Sequence, residues 1–349
     1  MSKQLWRWLG TIAAIFGILI MSGVSVTKAA GTSDVQAVPI GVTPVVNKNQ
    51  ISKGVSYYDL KLGAGKSTDL KLKISNISSK AVTVKLKATT AITNSNAVID
   101  YGKIPKTVDS SMRYRLDKLI KIAPADRKIT IPSKRAVLVT ARLTMPDKKL
   151  NGTLLGALHV EPVTKKVKKG LQSKYAFAVA CMVTNGKQVK PDLKLNTVKA
   201  GVRLGQRVVT VNVQNYRASL LTKGHINTTI TRQGQNRVLK HLVVQTAAFA
   251  PNTNFNLPVP WGSSAIAPGN YTLHMTYTST DGQFAHKKTW KFNKDFHISA
   301  VQAARYNLGT LQIPWWIYVI IAFVVILLIV LIWLLLKRRK KEDKADDSK

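Results

Sequence analysis

From Asp69 to Ile74 the apolar residues Leu70, Leu72 and Ile74 alternate with Asp69, Lys71 and Lys73. Val82, Val84, Leu86 and Ala88 alternate in the same way with Thr83, Lys85 and Lys87. A period of two is the mark of a strand with one face buried and one face wet. Turn-forming residues from Asn76 to Lys80 separate the two runs, so the pattern predicts a hairpin with one shared apolar face. Lys128–Pro132, Ala136–Leu143 and Leu154–Val160 read as further strands, and Ser111–Lys118 as one short helix. A second set follows: Lys174–Val183, a run carrying Val209, Val211 and Val213, Val238–Val244, Tyr271–Tyr277 and Trp290–Ile298. Tyr271, Leu273, Met275 and Tyr277 fall on one face, and Asp281-Gly282 marks a turn before the last strand. Many short strands without long helical periods predict an all-β chain of two immunoglobulin-like antiparallel β-sandwich domains in tandem. The basic run from Val163 to Gly170 separates them, which places the domains at 38–163 and 171–299.

Two stretches break this pattern. Ile317–Leu336 contains no charge, amide or glycine. As a helix at about 1.5 Å per residue it spans roughly the 30 Å hydrocarbon core of a bilayer. Trp315, Trp316 and Tyr318 stand at one end and five cations, Lys337–Lys341, at the other. This asymmetry predicts a transmembrane helix at 315–336, a tether at 300–314 and a basic cytoplasmic tail at 337–349. At the start, Lys3 and Arg7 precede an apolar run from Trp8 to Val26 and the small residues Ala29 and Ala30. That is the order of a secretory signal peptide, 1–30, cleaved after Ala29 or Ala30, with retention as an N-terminal anchor the alternative. Together they predict a single-pass cell-membrane protein with most of its chain extracellular.

The formal charge of +37 changes the picture of partners. The first 30 residues and the tail from Lys337 carry +3 each, which leaves +31 on the stretch predicted to be exported. An anionic wall polymer, anionic headgroups or acidic host glycans suit such a surface; a merely solubilising coat of strand lysines is the other reading. Export and the lack of a nucleic-acid-binding motif argue against nucleic acid. Cys181, the only cysteine, sits in an apolar strand-like run and reads as a buried hydrophobe. A large exported chain with no internal disulfide points to a Gram-positive surface protein.

No catalytic constellation emerges. Glu161 is the only glutamate between the two hydrophobic ends, and Asp59, Asp69, Asp100, Asp109, Asp117, Asp126 and Asp147 are scattered. The six histidines show no metal-binding spacing, and no nucleophile elbow or phosphate loop occurs. The chain reads as a non-enzyme without metal or cofactor, an exported wall-modifying enzyme being the alternative. One polar segment stands out, Thr90 to Tyr101. Asn94, Asn96, Asp100 and Tyr101 are the candidate residues for binding sugar hydroxyls, against the reading of a structural turn whose amides cap the backbone.

These residues also carry a resemblance. Tyr57-Tyr58-Asp59-Leu60-Lys61, Gly63-Ala64-Gly65, Thr89 to Tyr101, Met145-Pro146 and Asn151 to Gly156 resemble the N-terminal domain of the WxL-interacting proteins of Gram-positive bacteria. Lys174 to Val179, Val211 to Asn215, Ala250 to Phe255, Gly269 to Leu273 and Trp290-Lys291-Phe292 resemble the second domain of that family. The resemblance implies a membrane-anchored, non-catalytic scaffold with a peptidoglycan-binding domain followed by a host-binding domain. It implies WxL-domain surface proteins, peptidoglycan and host extracellular proteins as partners. A sortase-linked adhesin is the alternative, but Leu311 to Trp315 lacks the Leu-Pro-x-Thr-Gly cleavage motif. Ala97 stands where a family-like glycine is expected, which matters if that glycine served a positive φ.

Overall fold

The computed structural model describes residues 39–163, 175–308 and 315–346. The signal peptide and most of the basic break at 163–170 lie outside the described residues. Residues from Pro39 onward form one compact unit.

The first sandwich places one sheet in the order β1 (Ile40–Pro44), β3 (Ser67–Asn76), β9 (Ala136–Thr144) and β7 (Ile120–Ile122). Its second sheet runs β2 (Tyr58–Lys61), β11 (Phe177–Asn185), β10 (Gly152–Pro162), β4 (Val82–Thr90) and β8 (Lys128–Ile131). A two-stranded hairpin, β5 (Ile92–Thr93) and β6 (Ile99–Asp100), projects from it. The short helix α1 spans Leu116–Leu119. Leu70, Leu72, Ile74, Val84 and Leu86 are buried as their alternation predicts. The expected hairpin between them does not form: β3 pairs with β1 and β9, and β4 with β10 and β8. Asn76 is the cause. Its side-chain amide donates to the carbonyls of Lys80, Ile131 and Pro132, at 2.8, 3.0 and 3.0 Å. The chain therefore arches from one sheet to the other instead of folding back within one.

The run Lys174–Val183, expected to open the second sandwich, is also placed differently. Strand β11 pairs antiparallel with β10 from Gly152↔Asn185 to Val160↔Phe177 and parallel with β2. It completes the first sandwich, with Val179, Cys181 and Val183 buried. The second sandwich begins with β12 (Leu193–Arg203), in a sheet with β13 (Gln206–Asn215) and β16 (Thr253–Pro260). Facing it are β15 (Val238–Phe249), β14 (Leu221–Arg232), β17 (Gly269–Ser279) and β18 (Lys288–Ile298). Its core contains Val209, Val211, Val213, Tyr271, Leu273, Met275 and Tyr277 from the predicted faces, and Phe249 lies 4.6 Å from Tyr277 between ring centroids.

Of the predicted tether at 300–314, residues 309–314 lie outside the described residues. Ala300–Leu308 forms helix α2, opened by a reciprocal cap in which Ser299 Oγ accepts from Gln302 N and Ser299 N donates to Gln302 Oε1. Asn307 exchanges two hydrogen bonds with the backbone of Ile266, and Ala303 is buried, so α2 is fastened to the second sandwich. Helix α3 spans Trp315–Asp346. Its segment Trp316–Leu335 has mean hydropathy 3.4 and none of it is buried by the rest of the protein.

Candidate functional site

The structure brings Asn94, Asn96, Asp100 and Tyr101 together on the β5–β6 hairpin. Asn94 Oδ1 accepts from the backbone N of Asn96 and Val98, at 2.9 and 3.2 Å. Asp100 Oδ1 accepts from Gly102 N at 2.7 Å. Both oxygens thus hold the turn itself, while the Asn96 side chain faces solvent. Tyr101 packs against the small cluster of Ala91, Leu155 and Ala250; burial pushes its phenol up, and Tyr57 nearby adds to the rise.

The tip of this hairpin enters the second sandwich. Ala97 is fully buried in that sandwich's core and its carbonyl accepts from Ala248 N at 2.9 Å. Its φ is +59°, the left-handed region that disfavours a Cβ, so the position where a glycine was expected does require a positive φ. Thr93 Oγ1 meets Thr253 Oγ1 at 2.8 Å and accepts from Ala250 N at 3.0 Å. Arg203 Nη2 donates to Ser95 Oγ at 3.0 Å.

A second latch is Asp109, in the loop that follows the hairpin. It accepts from Gln214 Nε2 at 2.9 and 3.0 Å, from Asn254 Nδ2, and from both the backbone N and hydroxyl of Ser111. Burial alone would raise its pKa, but the bonds from Asn254, Ser111 and Gln214 outweigh burial and hold it below the usual carboxylate range. A third contact is Gly152, with φ +121°; a Cβ there would meet Ala218 O at 2.3 Å. The next residue, Thr153, donates its N–H to that same carbonyl at 2.8 Å.

A second candidate surface is residues 45–57. Asn47 fixes this loop: its Nδ2 donates to Asp69 O, and its Oδ1 accepts from Asn49 N and Thr68 Oγ1, at 2.7, 2.9 and 3.1 Å. Ile51 N donates to Asp59 O at 2.7 Å, and Gln50 Nε2 to Tyr57 O at 3.0 Å. On this fixed frame Val45, Val46, Ile51 and Tyr57 are exposed, Val46 by 85%. A depression of about 280 Å³ lies on one side, lined by Pro44, Gln50, Lys53, Tyr57 and Tyr58. On the other side a polar depression of about 360 Å³ presents Lys48, Lys71 and Arg142 with Asp69.

Ile51 also borders a cleft of about 240 Å³ between the sandwiches. Asp59, Thr184 and Gln188 line it from one direction, and Ser219, Asp281 and Gln283 from the other. Burial would raise the Asp281 carboxyl, but bonds from Thr222 and Gln283 lower it overall. A carboxylate held this way accepts hydrogen bonds at neutral pH and is a poor proton donor. Aromatic and apolar ledges beside hydroxyls, amides and carboxylates suit sugar or peptide recognition. Among the described residues no group of three or more potential ligands is placed to hold a metal.

The carboxylates leave much of the positive charge unneutralised. The described residues include two ion pairs, Arg115–Asp117 and Arg142–Asp69, both at 2.9 Å. Asp109, Asp192, Asp281 and Asp295 instead accept from amides, hydroxyls or indole. Sequence reasoning found the polar hairpin but missed loop 45–57. That loop has no period, and its exposed apolar residues stand out only once burial is known.

Residues 41–162 match the peptidoglycan binding domain of the WxL Interacting Proteins, and residues 166–308 match their host binding domain. No curated protein sequence matches the chain. Among solved structures, a chain of the CsuC–CsuE chaperone–tip subunit pre-assembly complex of Acinetobacter baumannii aligns at 11% identity and TM-score 0.32, over 66% of this chain and 93% of that one. The E. coli chaperone DraB aligns at 10% identity and TM-score 0.29, over 74% of this chain and 97% of that one.

Proposed function

The chain belongs to the WxL-interacting protein family, and from that premise we propose that it is a non-catalytic scaffold anchored in the membrane, joining the cell wall to other surface proteins. Its two domain families make it a cell-surface binding protein. In the finer reading, helix α3 crosses the cell membrane with Lys337–Lys341 on the cytoplasmic side, and the sandwiches lie outside. The first sandwich binds peptidoglycan or anionic wall polymer, WxL-domain proteins dock on the same body, and the second sandwich contacts host proteins.

The observation that carries the wall-binding part is loop 45–57. Large apolar side chains held exposed by a closed hydrogen-bond frame are ordered before binding, so little entropy is lost when they engage. The charge supplies attraction at longer range.

Helix α2 adds geometry. Because it is fastened through Asn307, only residues 309–314 separate it from α3, and they reach at most about 25 Å. The second sandwich therefore stays near the bilayer.

The test is co-sedimentation of the detergent-solubilised full chain with purified wall sacculi. Tyr57→Ala and Val46→Asp should each cut the bound fraction about tenfold with unchanged melting temperature. Undiminished binding by both variants overturns the role of the loop. Failure of the parent protein to sediment overturns wall binding itself. Capture of a secreted WxL-domain protein tests the partner, and protease protection of the C-terminal tail in intact protoplasts tests the orientation.

A further inference from the structure

Three segments meet at the end of the second sandwich that touches the first. They are Lys190–Asp192 ahead of β12, Tyr216-Arg217 in the β13–β14 turn, and the entry to β18, with Phe284 just before it and Lys288 as its first residue. They line a depression of about 480 Å³, within the roughly 300–1,000 Å³ of small-ligand sites.

Asp192 organises it. One carboxylate oxygen accepts from Trp290 Nε1 at 2.8 Å and Leu193 N at 2.9 Å, and the other from the Tyr216 hydroxyl. Trp290 in turn meets Phe284 edge-on, with ring centroids 5.7 Å apart and planes at 73°. Lys194 Nζ lies 4.5 Å from the Tyr216 ring centroid. The aromatic walls are thus fixed by neighbours rather than left to rotate.

Around these walls stand Lys190, Arg217 and Lys288, all exposed. None of the three forms an ion pair among the described residues. Asp192 has committed its oxygens to three donors, so three cations converge with one carboxylate to offset them. Clustering beside two aromatic rings in a depression separates these cations from the lysines spread along the strands.

We propose that this pocket binds a pyranose bearing a carboxylate, its ring against Tyr216 and Phe284 and its acid group held by Arg217, Lys190 and Lys288. Guanidinium takes a carboxylate through two parallel hydrogen bonds, and the lysines add point charge. The apolar face of a sugar ring matches an aromatic wall. The inference does not depend on loop 45–57. The same chemistry occurs in N-acetylneuraminic acid of host glycans and in those N-acetylmuramic acid residues of the bacterial wall whose stem peptide has been removed, which frees the lactyl carboxylate.

Isothermal titration of the detergent-solubilised full chain with each of these acids, and with neutral N-acetylglucosamine, tests the proposal. At least one acid should bind ten times more tightly than the neutral sugar. Arg217→Ala/Lys288→Ala should weaken it tenfold or more. Lys121→Ala/Lys128→Ala, an equal loss of charge on the first sandwich, should change it less than twofold. Phe284→Ala should weaken binding at constant charge; if that variant does not fold, the two charge pairs decide. Preference for one acid assigns the source to wall or host and supports the site. Equal weakening by both charge pairs, or no preference for either acid over the neutral sugar, overturns it.

Discussion

Replacing Asp109 should loosen the junction between the sandwiches measurably. Asp109→Ala removes the acceptor for Gln214 and Asn254, two side chains of the second sandwich, and for Ser111. Hydrogen bonds to a charged group are worth about 1.5–3 kcal/mol each when well buried. Gln214 is half-buried and Asn254 is exposed, so water replaces part of what is lost. About 1 kcal/mol for each amide and about 1 for the Ser111 pair gives about 3 kcal/mol in all. Asp109→Asn keeps one acceptor oxygen but turns an NH₂ toward the remaining donors, so about 1–2 kcal/mol is expected. Urea denaturation followed by fluorescence reads this, since Trp261 and Trp290 lie in the second sandwich core. The pH dependence has a fixed sign. The folded Asp109 is more acidic than an unfolded one, so its contribution is complete above about pH 4 and is lost as pH falls through the folded value. The gap between parent and Asp109→Asn should therefore close below about pH 4. A change under about 0.5 kcal/mol for Asp109→Ala at pH 7 would refute the latch, being no more than an ordinary surface substitution.

Three further outcomes are expected. Gly152→Ala should cost about 3 kcal/mol or more by calorimetry, because it adds a Cβ at φ +121° and drives it into Ala218. Tyr277→Phe should be neutral or stabilising by up to about 1 kcal/mol in the same assay, because the buried Tyr277 hydroxyl has no hydrogen-bond partner among the described residues. Cys181 is fully buried and its thiol is pushed up to about 12 by that burial, so iodoacetamide at pH 8 should alkylate it only after denaturation.

What was legible in the sequence was the face each strand buries; what was not was its partner. Alternation placed Leu70, Leu72, Ile74 and Tyr271, Leu273, Met275, Tyr277 inward because side-chain direction is a local property of an extended backbone. Period two says nothing about which sheet a strand joins, so the arch at Asn76 looked like a hairpin turn. The same limit applies to Phe177–Asn185, legible as a strand following the basic run, while its pairing with β10 of the first sandwich is not. At the polar hairpin, Ala97 pointed correctly to a demand for positive φ. Its destination, the core of the other sandwich, depends on contacts more than 100 residues away, with Ala248 and Arg203 among them. Asp109 looked scattered for the same reason.

Strand β11 has a consequence for how the chain comes into being. Among the described residues β11 is the one named strand that pairs with β2, whose other edge meets only the short Gln50–Leu60 bridge, and Asn185 reaches back to the carbonyl of Leu62, 123 residues earlier. A polypeptide emerging N-terminus first, from a ribosome or through a membrane pore, presents β2 long before that partner arrives. The first sandwich therefore cannot mature as an independent early unit. Its sheet stays open until the basic segment 164–174 has cleared the exit and β11 has slotted between β2 and β10. During that interval the unpaired edge of β10 is exposed to whatever lies outside, the situation in which strand edges recruit wrong neighbours. Maturation of the N-terminal domain is thus timed by the arrival of residue 185, and synthesis of its partner domain follows at once.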